Sequence, residues 1–125
     1  MIDVLLAVAA VSAILFIVPV IFYGAASRYI TLPSPEAAGV GRFLLGVLIT
    51  KIGTAVAFVM LFHLTHNVWA ERWLLFVALW FVMFAASEIG DMLSGRSTTA
   101  EALIGILSEM VYVPLATWTV LRLLN

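Results

Sequence analysis

At 125 residues, with 65% hydrophobic and only 10% charged residues and a mean hydropathy of +1.20, the chain is far more apolar than a water-soluble domain, where about 45–50% apolar and about 25% charged residues are usual. A net charge of −1 offers nucleic acid no basic surface, and the lack of cysteine excludes disulfides, thiolate metal sites and thiol nucleophiles. A bilayer-crossing helix needs about 20 mainly apolar residues, so the length leaves room for four spans with short connections and no attached soluble catalytic module.

The first span is expected over about residues 3–24. Its one charge, Asp3, stands at the start, and without a basic flank it reads as a retained anchor rather than a cleaved signal. The longest connection follows, 25–41, and in it Ser34, Pro35 and Glu36 have the order of an N-cap, a first-turn proline and a first-turn acid, as for a helix that starts at the interface. A second span is expected over about 42–65, a polar turn at 66–71, and a third span over about 72–94 that Ser94 and Gly95 would stop. Thr98 and Glu101, three apart, form a capping box that launches the fourth span, about 99–124.

These spans predict an all-α fold: one integral membrane domain over 1–125, a four-helix transmembrane bundle running up-down-up-down with short loops. The first and third connections then share one face of the membrane, called side A, while the second connection and both termini share side B. Tyr23 and Tyr29 fall at side A and Trp69, Trp73 and Trp118 at side B, matching the interfacial preference of these rings, whereas Trp80 lies mid-span and calls for a packing role. Arg28, Arg42 and Arg96 on side A outnumber Arg72 and Arg122 on side B, so loops 25–41 and 95–98 are expected to be cytoplasmic.

Three ionisable residues lie deep in the spans. With a rise of about 1.5 Å per residue, Lys51 sits roughly 13–15 Å from side A, Glu109 about 12–14 Å and Glu88 about 8–10 Å, with Asp91 one turn nearer the surface. A charge at the bilayer centre costs at least about 2.5–3.5 kcal/mol, so such groups should face the bundle interior, pair or reach water. On the fourth span Gly105, Glu109, Tyr112, Ala116 and Thr119 form one small or polar stripe, opposite Leu103, Leu107, Met110 and Pro114. On the third span Ala85, Glu88, Asp91 and Gly95 share a face, and on the second Lys51, Thr54 and Ala55 do so.

One lysine can balance only one of two deep glutamates, which leaves a carboxyl group able to hold a proton or a cation. The leading expectation is therefore a small polytopic protein that conducts ions or couples transport to protons: Glu109 takes and releases the proton, Lys51 is the counter-charge, Glu88 and Asp91 form the polar route to side A, and Tyr112 lies on the same stripe. Pro114 frees the Met110 carbonyl beside Glu109, and Pro19 frees that of Leu15, so both prolines mark candidate kinks. A structural ion pair of Lys51 with Glu88 or Glu109 that fixes helix register is the plain alternative.

His63 and His66 are spaced to reach one metal ion, with Glu71 in the adjoining turn, but no second helix supplies convergent ligands. Neither a metal nor any other cofactor is expected. Ser87, Ser108 and Thr50 lie near the deep charges without a nucleophile motif around them. Two further functions compete with transport: a non-catalytic accessory subunit or assembly factor of a larger membrane complex, and a lipid-active enzyme using interfacial acids and a histidine. The expected partners are the lipid bilayer and either further copies of the chain or a larger complex.

Overall fold

The computed structural model describes residues 1–31 and 39–124. The helix start expected at Ser34, Pro35 and Glu36 lies outside them. Among the described residues five helices follow in chain order: α1 (Ile2–Ala26), α2 (Val40–Leu64), the single turn α3 (His66–Trp69), α4 (Trp73–Leu93) and α5 (Thr99–Leu124). The protein is all-helical, and α1, α2, α4 and α5 are each long and apolar enough to cross a membrane. The region expected to be a plain polar turn thus contains one helical turn, α3; the first span runs slightly longer than expected, and the fourth has the expected bounds.

The ends of α4 and α5 are written locally. The Arg96 amide bonds to the Asp91 carbonyl at 2.9 Å and the Gly95 amide to that of Met92 at 3.2 Å, with Gly95 at φ 80°. This is a Schellman stop, and its left-handed position suits glycine because a Cβ would crowd the adjacent carbonyl. Three residues after Gly95 the capping box closes in both directions: the Thr98 amide donates to Glu101 Oε1 at 3.0 Å, and the Glu101 amide to Thr98 Oγ1 at 3.2 Å. Tyr23 Oη then donates to the Glu101 carbonyl at 3.1 Å, tying the end of α1 to the start of α5.

Helix α5 is the centre of the bundle. It packs against α1 on one side and α4 on the other, and α1 in turn packs against α2. Ala7, Val11 and Leu15, at every fourth position of α1, are buried against this core, as are Tyr112, Val113, Ala116 and Val120 of α5. The backbones of α2 and α4 do not approach each other closely. Their seam is filled by rings instead. Phe58 meets Phe76 with centroids 4.9 Å apart and Trp80 at 5.0 Å, and Phe62 meets Phe76 at 5.2 Å. Trp80 therefore packs inside an aromatic layer, which explains a tryptophan so far from the headgroups.

The outer surface shows which solvent the bundle needs. Leu5, Ile21, Leu45, Ile49, Leu79, Val82, Leu103 and Leu107 all face outward. Leaving one such side chain in water forfeits roughly 1.5–3 kcal/mol, so this surface is stable against lipid.

Candidate functional site

The polar cluster is assembled from four helices. Lys51 comes from α2, Glu88 from α4, Glu109 and Tyr112 from α5, and Tyr23 from α1. Glu109 is 2% exposed and Tyr112 likewise 2%, whereas Lys51, Glu88 and Tyr23 are half-buried. Of the stripe expected on the fourth span, Gly105, Glu109, Tyr112 and Ala116 are buried, while Thr119 lies at the edge of the core and donates to the Leu115 carbonyl at 2.8 Å. Leu103, Leu107 and Met110 face outward.

Glu88 reaches across to α5 at Gly105. A Cβ built on that glycine would come 2.6 Å from Glu88 Cδ and Oε1 and 2.8 Å from Oε2. The carboxyl group thus occupies the place of a missing side chain, which lets it approach Glu109 one turn further along α5. Glu88 and Glu109 lie close enough to act on each other electrostatically. A direct hydrogen bond between two carboxyl groups requires one of them to carry a proton, because an ionised carboxylate can only accept. Glu109 Oε2, also buried, meets no donor.

Lys51 does not close the circuit. It forms no direct ion pair with Glu88 or Glu109, so the register-fixing pair considered from the sequence is absent. The physical reason is the wide seam: α2 barely touches α5 and its backbone stays away from α4. Lys51 Nζ instead stands 5.4 Å from the centroid of the Tyr112 ring. A cation over an aromatic face gains about 0.5–2 kcal/mol, less than the roughly 2.5–3.5 kcal/mol that a charge costs mid-span, so the field of the two glutamates and partial access to water have to supply the rest. The Tyr112 ring is itself held by the edge of Phe84, 5.8 Å away, at the end of the aromatic layer.

Asp91 is nearer the surface and bound there, its Oδ1 3.3 Å from Arg96 Nη2. Tyr23 had only the role of a headgroup anchor in the sequence reading, yet it lies within electrostatic range of Glu88, Glu101 and Glu109. Nothing in the spacing of α1 alone points to acids on other helices. Gly105 stood in the stripe as a small residue, and only the placement of Glu88 shows what its size is for.

The remaining candidates lie elsewhere. Pro114 and Met110 line an apolar cavity of about 240 Å³ with Leu74, Val77, Ala78 and Phe81, on the outer side of α4 and α5, while α1 continues through Pro19 as a helix. His63 faces outward, and the His66 ring meets Phe62 edge-on at 6.2 Å. Among the described residues no group of three His, Asp or Glu side chains could hold a metal ion. The Ser108 and Thr50 hydroxyls bond the carbonyls of Gly105 and Gly46 on their own helices, at 2.8 and 3.0 Å. Comparison with family profiles, curated proteins and solved structures yields no match for this chain.

Proposed function

We propose that this membrane protein moves protons, or an ion or small solute coupled to them, through the cluster of Lys51, Glu88, Glu109 and Tyr112. The observation that carries the reading is Glu109: a buried carboxyl group within electrostatic reach of a second carboxyl group, and with one oxygen that no protein donor meets. A purely structural role would favour a saturated pair, since a buried polar atom without a partner costs about 1–3 kcal/mol. At a site that accepts and releases a charge, such an atom is left for the exchanging proton or for water.

In this reading the proton resides between Glu109 and Glu88. Glu88, the less buried of the two, exchanges it toward side A past Asp91, and Lys51 above Tyr112 limits the negative charge that accumulates when the proton leaves. A cation can take the proton's place at Glu109. Four helices enclose little space, so the complete pathway needs either more than one copy of the chain or only a narrow file of water. With side A cytoplasmic, exchange through Glu88 faces the cell interior.

The experiment is proton flux in liposomes containing the purified protein and its Glu109→Gln variant. Flux in the parent that is lost in the variant supports the proposal; no flux in the parent, or equal flux in both, removes it.

One observation favours the accessory-subunit reading. Gly46, Thr50 and Gly53 face outward on α2, with open space where a Cβ would stand on either glycine, and small residues of this kind admit close approach of another helix. Copurification in mild detergent with a larger membrane protein would support it, and a chain recovered alone would count against it.

A further inference from the structure

At the side B end of the bundle, the first residue of α4 and the last turns of α5 border an open groove of about 370 Å³ lined by Trp73, Trp118, Leu121 and Arg122. We propose that it binds the phosphate of an anionic phospholipid, with Arg122 as the anion-binding residue. This site is separate from the carboxyl cluster and does not depend on the transport reading.

Four features lead there. The groove lies at the level of the indole belt, where headgroups meet the hydrocarbon. Its volume falls within the roughly 300–1,000 Å³ usual for small-ligand sites. Its wall divides into an apolar part, Leu121 and the two indoles, and a cationic part, Arg122, which corresponds to the division of a lipid into glycerol with acyl chains and phosphate. Finally, Arg122 makes no ion pair among the described residues, where the one such pair is Arg96 with Asp91. A guanidinium at this depth presents a planar fork of N–H donors suited to phosphate oxygens.

The choice of an anionic over a zwitterionic lipid follows from Trp118. Its indole is exposed, and an exposed tryptophan face is where a choline ammonium would dock. Here the Arg122 guanidinium carbon already stands 5.4 Å from the ring centroid. A quaternary ammonium would have to displace that group and then sit beside its charge, whereas a phosphate carrying an uncharged glycerol meets only the cation.

The test is native mass spectrometry of the full chain released from micelles containing equal phosphatidylglycerol and phosphatidylcholine. The parent should retain phosphatidylglycerol over phosphatidylcholine by about fivefold, the scale of one arginine near an anionic surface. Arg122→Gln should bring the two lipids to parity, while Arg42→Gln, at the other end of the bundle, should keep the preference. Arg122 faces outward, so its variant should fold, which circular dichroism verifies. Equal retention in the parent, or an unchanged preference in Arg122→Gln, overturns the proposal. Loss of bound phosphatidylglycerol to millimolar inorganic phosphate would also overturn it, since the site would then take a free anion rather than a lipid.

Discussion

The carboxyl group of Glu88 lies where a side chain on Gly105 would be, with Cδ 2.6 Å from the position of the missing Cβ. Gly105→Ala therefore forces either the acid or α4 to move. The atoms met are the end of a flexible side chain, so the acid can swing away at little cost in stability, and its approach to Glu109 is the first thing lost. Thermal unfolding in detergent should show a stability close to the parent's, while liposome flux should fall. Unchanged flux in a stably folded variant would mean that the place of Glu88 at this glycine does not matter to function.

The two glutamates should behave as a coupled pair. Glu109→Gln supplies an amide donor to Glu88 and keeps the shape of the site, so its folding cost should be small; Glu88→Gln should act alike. The double variant should depart from the sum of the single variants by about 0.5–3 kcal/mol, the range for residues in direct contact. Chemical unfolding of all four proteins gives the coupling directly, and strict additivity would place the two groups out of contact.

Tyr112 supports Lys51 through its ring, not its hydroxyl. Tyr112→Phe should therefore keep the lysine in place, while Tyr112→Leu should cost about 0.5–2 kcal/mol from the lost cation contact, in addition to lost packing. Comparing each variant with its counterpart in a Lys51→Met background isolates the contact. A stability difference between Phe and Leu that is the same with and without the lysine would rule it out.

The loop between α4 and α5 is fixed by two local devices with separate costs. Gly95→Ala places a Cβ at φ 80° and should lose about 1–2 kcal/mol, the penalty of a left-handed L-residue. Thr98→Ala should lose about 0.5–2 kcal/mol by opening the capping box. Both should leave flux largely intact, since neither touches the carboxyl pair; measuring melting temperature and flux together separates loop stability from function.

What the sequence disclosed were the features that act over one turn of helix. The four spans come from runs of apolar residues, the stop at Gly95 and the start at Thr98 from cap chemistry, and the inward face of α5 from the spacing of Gly105, Glu109 and Tyr112. Depth along the membrane was equally legible, because rise per residue is constant, and it placed Lys51 near the glutamates. Depth says nothing about lateral separation, however. That Lys51 would meet a ring instead of a carboxylate depends on how far α2 stands from α5, and this distance is set by Phe58, Phe62, Phe76 and Trp80 wedged between α2 and α4. Tyr23 was missed for a similar reason, since its partner Glu101 is brought to it by the fold across 78 positions of chain.

The ring-filled seam also divides the deep charges. Helix α2 packs against α1 and meets α4 through edge-on and tilted rings at Phe58 and Phe62, while its backbone makes no close approach to α4. Lys51 stands on a helix whose backbone keeps clear of α4, whereas Glu88 and Glu109 belong to the closely packed α4–α5 pair. The deep positive charge and the two acids are thus carried by separate parts of the bundle.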